Sequence, residues 1–198
     1  METEIEAKFL DIDPKALRVR LRVLGAELIH PERSMRRRNF DYPGKRLEKV
    51  GGWVRVRDEG DRITLSYKQV NERTLHGTQE VTTTVGDFEN TCRFLTAIGL
   101  VEKAVQETKR EKWMLGSVEI TIDTWPWIPT FAEIEGVGEA EVRDVAKKLG
   151  FDWSSALHGS VEIAYQKYFD VTEEEIYNCS SVTFGPVPDW LETKRRNA

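Results

Sequence analysis

The chain has 198 residues and a formal net charge of −5, and 32% of its residues are charged. This length allows one domain of ordinary size with a substantial core. The acidic balance argues against a dedicated nucleic-acid surface, and no apolar run approaches the roughly 20 residues of a membrane span. No signal-peptide core follows Met1, and the two cysteines show neither metal-ligand spacing nor a disulfide framework. We therefore expect a cytoplasmic protein that binds neither a nucleic-acid polymer nor a membrane.

The opening segment METEIEAKFL contains the first predicted strand, because apolar residues at 5, 7 and 9 alternate with Glu4, Glu6 and Lys8. Neighbours on one face of a strand lie roughly 6.6–7 Å apart. Two carboxylates at that spacing repel by about 2.4 kcal/mol at an effective dielectric near 20. Solvent would screen this repulsion on an exposed edge strand, whereas a strand that lines a cavity needs positive charge nearby. This segment alone leaves both interpretations open.

A helix is predicted to start at Asp13-Pro14, because a capping residue precedes proline at the first helical position. Leucines at 17, 21, 24 and 28 follow at helical spacing. The segment RSMRRRNFDYPGKRLEKVGG carries turn residues around a short predicted strand near Phe40. The segments WVRVRD, RITLSYKQV and HGTQEVTTTV then alternate, and each predicts a strand with one apolar and one polar face.

The second half of the chain repeats these signals. Asp87 caps a second predicted helix, which Gly99 terminates. The segments SVEITID and PTFAEIEG alternate as strands do, and a third helix is predicted from about Glu139 to Leu149. A fourth helical pattern spans residues 160–169. The tail beyond it is predicted to be an irregular extension.

The polar faces of these strands carry acids and bases that cluster strand by strand. The three convincing helices each have one apolar side, and the apolar strand faces are the obvious surfaces on which to bury it. The hydrophobic core then lies between a sheet and outer helices. The ionic strand faces look out at water from an open sheet or line a closed lumen, and closure would remove the sheet edges. Like charges confined in a lumen would require ions or ligands to compensate them.

The chemistry of such a lumen would suit a metal–polyphosphate complex. Carboxylates select hard cations such as Mg²⁺ or Mn²⁺, and arginine and lysine bind phosphate oxygens. The chain has neither a GxxxxGK[ST] loop nor a GxGxxG motif. Its histidines, His30, His76 and His158, lie in separate segments, so a histidine cluster is not supported.

The segment EIEAK matches the ExExK signature of the CYTH superfamily, whose members are also called triphosphate tunnel metalloenzymes. ExExK alone would be a weak signal, but NFDYP, WVRVR, LSYKQV, TKREKW and ITIDTWPWIPTFAEIEG also occur in the family's order, over residues 2–168. The resemblance implies an α+β fold in which an eight-stranded antiparallel β-barrel forms a tunnel, with a polar, charged lumen and helices packed on the outside. It also implies a tunnel domain at residues 1–170 and a C-terminal extension at residues 171–198.

The resemblance further implies the site residues. The implied metal ligands are Glu4, Glu6, Asp123, Glu133 and Glu135. The implied substrate-binding residues are Lys8, Arg55, Arg57, Lys68, Glu80, Arg110 and Lys112. The residues expected to carry catalysis are Glu4, Glu6, Glu133, Glu135 and Lys68. The segment TKREKW matches in more than one register, and strand parity favours Arg110 and Lys112 over Lys109. For Glu80, Glu119 and Lys167 a solvated position is an equal alternative, and Trp125 and Trp127 are expected to pack or to anchor a loop.

Members of this superfamily include class IV adenylate cyclases, thiamine triphosphatases and inorganic triphosphatases. The leading hypothesis is a hydrolase that depends on Mg²⁺ or Mn²⁺ and acts on tripolyphosphate, a nucleoside triphosphate or thiamine triphosphate, as a monomer or homodimer. The first alternative is a cyclase that converts ATP to cyclic AMP and pyrophosphate. Some cyclase relatives carry a His-Phe pair before the ExExK strand, where this chain has only Met1, Glu2 and Thr3. The second alternative, a non-catalytic polyphosphate-binding module, leaves the retained acids without a purpose.

Overall fold

The computed structural model describes residues 2–72 and 74–196. Its strands are β1 (Glu2–Phe9), β2 (Glu27–Asp41), β3 (Gly52–Asp58), β4 (Ile63–Val70), β5 (Thr78–Val85), β6 (Val101–Leu115), β7 (Val118–Thr124), β8 (Phe131–Gly136) and β9 (Ser181–Val182). Its α-helices are α1 (Pro14–Val23), α2 (Phe88–Ala97), α3 (Glu139–Lys148), α4 (Glu162–Tyr168), α5 (Glu173–Tyr177) and α6 (Asp189–Glu192). Met1, residue 73 and residues 197–198 of the predicted domains lie outside the described residues.

Eight of the strands close into an antiparallel barrel, as the resemblance implies. The strand order is β2-β3-β4-β5-β1-β8-β7-β6, and β6 pairs again with β2 to complete the ring. The short β9 lies parallel to β6 at Val105 and Gln106, on the part of β6 that precedes its pairing with β7 from Lys109 onward. Closure satisfies the strand edges internally, so the polar strand faces share one lumen.

The hydrophobic core lies outside the barrel, between the strands and the helices. Ala7, Ile120 and Ile134 point away from the lumen and are fully buried. They pack with Leu21 of α1 and Val142 of α3 in a single cluster. The predicted inversion of polarity is therefore confirmed: burial of the apolar strand faces against helices turns the charged faces inward.

The helix signals in the sequence mark real boundaries. Asp13 accepts hydrogen bonds from the backbone N–H groups of Lys15 and Ala16, and proline occupies the first turn of α1. Asp87 caps α2 in the same way, and Gly99 follows that helix with φ of 100°. The predicted extension of the first helical pattern to Leu28 was wrong, because α1 ends at Val23 and Leu28 lies exposed on β2.

The prediction of a short strand near Phe40 was also wrong, because β2 has 15 residues. Arginines occupy both faces of this strand, which hides the period of two. Arg36 lies outside, with its guanidinium 4.4 Å from the centre of the Phe88 ring, whereas Arg37 lies inside the barrel. An arginine can cover apolar surface with its aliphatic stem and can stack its guanidinium on an aromatic ring. An outward-facing arginine is therefore compatible with a strand and need not indicate a turn.

The tail is more ordered than the sequence predicted. Beyond Phe169 the chain forms α5, β9 and α6, so the prediction of an irregular extension was wrong for these segments. Ile176, Val182 and Leu191 are buried in a cluster with Tyr165 and Phe169. The boundary between a domain at 1–170 and an extension at 171–198 stays a prediction. Within residues 2–72 and 74–196, no helix combines the length and apolarity needed to cross a membrane.

Candidate active site in the tunnel

The barrel lumen holds a cavity of about 430 Å³. With the exception of Asp123, every predicted site residue lines it: Glu4, Glu6, Lys8, Arg55, Arg57, Lys68, Glu80, Arg110, Lys112, Glu133 and Glu135. Glu119 also lines it, whereas Lys167 is exposed on α4 and Lys109 lies over the ring of Phe184. Strand parity thus places Arg110 and Lys112 on the tunnel side, as predicted. The roles of all these residues stay predictions.

Two groups of strands face each other across this cavity. Strands β1, β8 and β7 form what we call the acidic wall, whose tunnel-lining charged residues are Glu4, Glu6, Lys8, Glu119, Glu133 and Glu135. Strands β2, β3 and β4 form the cationic wall, with the tunnel-lining residues Arg37, Asn39, Arg55, Arg57, Thr64, Lys68 and Val70, together with Trp53. Strands β5 and β6 join the two walls, one on each side.

Lys8 holds the centre of the acidic wall. Its Nζ atom lies 2.7 Å from Glu6 Oε1 and 3.4 Å from Glu133 Oε1, and the side chain is 3% exposed. Burial by itself would lower the pKa of Lys8, but the carboxylates of Glu6 and Glu133 outweigh it and raise that pKa. The lysine is therefore a fixed cation, and its positive charge offsets the repulsion between carboxylates on the same face of β1.

Arg110 joins the acidic wall from β6. Its Nε and Nη2 atoms donate to the two oxygens of Asp123 at 2.6 and 2.8 Å, and Nη2 also donates to Glu133 Oε2 at 2.6 Å. Asp123 is 1% exposed and accepts a further hydrogen bond from Thr121 at 2.6 Å. Asp123 therefore lies behind Arg110 rather than on the cavity surface. Its predicted role as a metal ligand stays a prediction, and its contacts hold the guanidinium in place.

The surroundings shift the pKa values of the acids on this wall in different directions. Burial raises the pKa of Glu135 to about 7, and the neighbouring carboxylates of Glu6 and Glu119 push it in the same direction. Burial raises the pKa of Glu4 to about 8, assisted by a hydrogen bond with Glu80 and opposed by Lys68. Burial also acts on Glu133, but Lys8 and Arg110 outweigh it and lower the pKa of that group.

The cationic wall is anchored by acids at its margins. Lys68 Nζ lies 2.9 Å from Glu4 Oε2 and 3.2 Å from Glu80 Oε2, and Arg55 Nη2 donates to Glu80 Oε1 at 3.1 Å. Burial lowers the pKa of Arg55 to about 10, and Arg57 adds to this effect. Glu80, which the sequence left between two interpretations, thus contacts two tunnel cations.

Arg57 is held in a similar way at the far end of β3. Its Nε atom donates to Glu59 Oε1 at 2.8 Å, and Arg62 Nε donates to Glu59 Oε2 at 2.9 Å. Burial opposes ionisation of Glu59, but Arg57 and Arg62 prevail and lower its pKa to about 2. The two arginines therefore keep their positions through one buried carboxylate.

Several tunnel residues escaped the sequence reasoning. Arg37, Asn39 and Gln106 line the cavity, and their signal was lost with the misread strand β2 and the unassigned start of β6. Trp125 also lines the cavity while packing in the core cluster of the tail, in keeping with its predicted packing role. Tyr177 of α5 also lines the cavity, so the tail contributes to its wall. No sequence motif announces that contact.

A metal ion would meet oxygen donors on the acidic wall. Among the described residues, no three acidic, histidine or cysteine side chains converge in a geometry that could hold an ion, since lysine and arginine side chains contact most of the carboxylates. The donor chemistry nevertheless fits a hard cation. Glu6 and Glu119 are both cross-strand partners of Glu135, so three carboxylates follow one another across β1, β8 and β7.

Comparisons with known proteins agree with this architecture. The chain is similar to the PH1012 protein from Pyrococcus horikoshii, with 20% identity, a TM-score of 0.65, and coverage of 77% of this chain and 93% of that one. It is similar to a candidate adenylate cyclase from Vibrio parahaemolyticus, with 14% identity, a TM-score of 0.72, and coverage of 83% and 98%. It is also similar to a Hippeastrum candidate adenylyl cyclase, with 16% identity, a TM-score of 0.58, and coverage of 84% and 95%.

These likenesses concern the fold. No curated protein matches the sequence. The family model described as the CYTH domain matches residues 2–163, which is most of the chain and includes all eight barrel strands. The chain therefore belongs to the CYTH domain family.

Proposed function

We propose that the protein is a divalent-metal-dependent enzyme that hydrolyses a triphosphate compound inside the tunnel. The observation that carries the proposal is the pair of facing walls, one rich in carboxylates and one rich in guanidinium groups, around a single cavity of about 430 Å³. A triphosphate with its cation has this same division of charge. The description of the Hippeastrum relative, which reports a dominant triphosphatase activity, supports the reaction class.

The cationic wall binds the substrate in this proposal. Arg55 and Arg57 would contact phosphate oxygens through their planar guanidinium groups, and Lys68 would add a point charge. Each of these side chains is already held by a carboxylate, so little reorganisation is needed when the substrate enters. Preorganised charge of this kind is the largest contribution to catalysis in many enzymes.

The acidic wall serves the metal and the proton. Glu6 and Glu135, with Glu4 and Glu133 nearby, would hold Mg²⁺ or Mn²⁺, which when bound neutralises charge on phosphate oxygens. Arg110, positioned by Asp123, would contact the phosphate next to Glu133. A carboxylate of this wall would act as general base toward the attacking water.

An adenylate cyclase is the second candidate, favoured by the fold shared with the Vibrio parahaemolyticus protein. It would use the same phosphate-binding residues, but the ribose 3′-hydroxyl would attack and pyrophosphate would leave. Assembly as a monomer or a homodimer stays a prediction. A cytoplasmic location also stays a prediction.

A turnover screen tests the proposal. Tripolyphosphate, ATP, GTP and thiamine triphosphate are each incubated with the full-length protein and Mg²⁺ or Mn²⁺, and orthophosphate and cyclic AMP are measured. Metal-dependent release of orthophosphate is the expected result. Formation of cyclic AMP without orthophosphate release would favour the cyclase, and tight binding of tripolyphosphate without turnover would support the binding module instead.

A further inference from the structure

Arg37 stands apart from the other cations of the tunnel. It is 7% exposed and lines the cavity from β2. Its Nη2 atom donates to Thr108 Oγ1 at 2.8 Å, and its guanidinium lies 4.7 Å from the centre of the Trp125 ring. Its Nε atom is buried and makes no hydrogen bond within the described part of the chain. A buried arginine is thus only partly satisfied by the protein around it.

Every other lysine or arginine that lines the cavity contacts a carboxylate. These cations are Lys8, Arg55, Arg57, Arg62, Lys68, Arg110 and Lys112. Among residues 2–72 and 74–196, Arg37 has no carboxylate partner, and its cross-strand neighbour on β3 is another cation, Arg57. Burial lowers the pKa of Arg37 well below its usual range; Arg57, Arg55 and Arg110 act in the same direction, and the carboxylate of Asp123 opposes them without outweighing them.

An arginine stays charged in proteins, so this position carries a buried cation that forms no ion pair with a described carboxylate. Such a group costs stability unless an anion reaches it. The cavity is the open side from which an anion can come, because the other sides of the guanidinium meet Thr108 and Trp125.

Two amide side chains lie beside Arg37, Asn39 on the cationic wall and Gln106 on the adjoining strand β6. Gln106 is its cross-strand neighbour on β6, and Asn39 Nδ2 donates to Gln106 Oε1 at 3.3 Å. Both line the cavity, and Asn39 is level with Arg55 across β3. Amides supply neutral hydrogen-bond donors, which suit phosphate oxygens next to a guanidinium.

We propose that Arg37 is an additional phosphate-binding residue of the tunnel and that Asn39 and Gln106 bind phosphate oxygens beside it. The polyphosphate would then supply the anionic partner that no described carboxylate provides. The proposal rests on the proposed function for the nature of the anion. The opposing account is purely structural: Arg37 would stay in place to pack on Trp125 and to bond Thr108.

The two accounts predict opposite effects for Arg37→Gln. If Arg37 binds an anion, its buried charge destabilises the ligand-free protein, and removing that charge should leave the melting temperature without ligand unchanged or higher. Phosphate binding should weaken at the same time. If Arg37 only stabilises the fold through its contacts with Trp125 and Thr108, the melting temperature falls and phosphate binding is unchanged. Arg38→Gln is the matched control, because it removes the same charge from the next residue of β2, which faces outward and pairs with Glu89 and Glu102.

The experiment measures tripolyphosphate binding to the full-length protein by calorimetry in the presence of EDTA, so that neither metal nor turnover enters. We expect Arg37→Gln to weaken binding about 10- to 100-fold, as loss of hydrogen bonds to a charged group does, and Arg38→Gln to change it less than about threefold. Equal affinity of wild type and Arg37→Gln overturns the proposal. Should Arg37→Gln fail to fold, Arg37→Lys takes its place, with binding at least about threefold weaker expected because the bidentate contact is lost.

The outcome separates this proposal from the proposed function. A wild-type protein that binds tripolyphosphate but hydrolyses no triphosphate contradicts the hydrolase, and the Arg37 comparison remains decisive for the phosphate site. A wild-type protein that turns over tripolyphosphate while Arg37→Gln binds it equally well contradicts only the role of Arg37. Absence of any binding to the wild-type protein overturns the Arg37 proposal directly.

Discussion

The acidic wall and the cationic wall of the tunnel differ in where their charge is left uncompensated. On the acidic wall, Lys8 and Arg110 each contact two carboxylates, yet Glu135 makes no ion pair with a described residue and its pKa is raised to about 7. On the cationic wall, Arg55 and Arg57 each have a carboxylate partner, whereas Arg37 has none in the described residues. Each wall therefore has one ionisable side chain without an ion-pair partner among the described residues, Glu135 on the acidic wall and Arg37 on the cationic wall. A metal ion suits the first position and a polyphosphate suits the second.

The largest expected effect comes from removing one fixed charge from either wall. Glu133→Ala deprives Lys8 and Arg110 of a shared partner, and Lys68→Ala removes a cation held between Glu4 and Glu80. We expect either change to lower kcat for the triphosphate substrate about 10²- to 10³-fold, as loss of one preorganised contact does. Steady-state kinetics measure the effect, and circular dichroism checks the fold. Wild-type turnover in both variants would refute the assignment of the walls.

Asp123→Asn tests whether Arg110 depends on its buried partner. The substitution leaves Arg110 facing a neutral amide at a position that is 1% exposed. Leaving a buried charge with no partner costs about 3–5 kcal/mol, but Arg110 keeps its contact with Glu133, and burial raises the pKa of Asp123. We therefore expect a smaller loss of unfolding free energy, about 1–3 kcal/mol, measured by urea denaturation. The exposed pair of Arg143 and Glu139 on α3 offers a control, because Glu139→Gln should leave the unfolding free energy nearly unchanged. Equal losses would contradict the positioning role of Asp123.

The two walls should also separate metal binding from anion binding. We expect Glu135→Gln to weaken Mn²⁺ binding about tenfold or more, because carboxylate charge sets the affinity of such sites. Tripolyphosphate binding in EDTA should be unchanged or stronger in that variant. Arg57→Gln should show the reverse pattern. Calorimetry with each ligand measures both effects. A variant that loses both affinities equally would contradict the assignment of metal binding to one wall and phosphate binding to the other.

The smallest effect concerns the acid stability of the cationic wall. Glu59 has a folded-state pKa of about 2 against an ordinary value of 4.5. Its ionised form thus stabilises the fold fully above pH 4.5, and this contribution is lost as the pH falls toward 2. Wild type should be more stable than Glu59→Gln at pH 6, and the difference should shrink as the pH falls from 4.5 toward 2. Glu89→Gln, at an exposed acid, should show little change, and a constant gap between wild type and Glu59→Gln would contradict this account.

The sequence predicted the barrel better than it predicted the site. Alternation in β1 identifies a charged face, but only the one-sided helices and the family resemblance indicate that this face turns inward. Strand β2 was misjudged because Arg36 and Arg38 cover Phe88 from outside while Arg37 points inside, so polarity does not alternate along it. The period of two carries no signal when both faces of a strand are charged.

Pairing between side chains lies beyond the reach of sequence patterns. Asp123 and Arg110 are neighbours only because β6 and β7 are in register, and Arg37 lacks an acid only because Arg57 and Gln106 are its cross-strand partners. The tail was missed for a related reason. Its buried residues, Ile176 and Leu191 among them, are too widely spaced to show a period, and tertiary packing alone orders them.

The most direct test of the account is a crystal structure of the protein with Mn²⁺ and a non-hydrolysable tripolyphosphate analogue. The account predicts an anomalous Mn²⁺ signal within bonding distance of Glu6 or Glu135, and phosphate oxygens in contact with Arg55 and Arg57. Analogue density on the outer surface, or a manganese ion away from the carboxylates of β1 and β8, would contradict it.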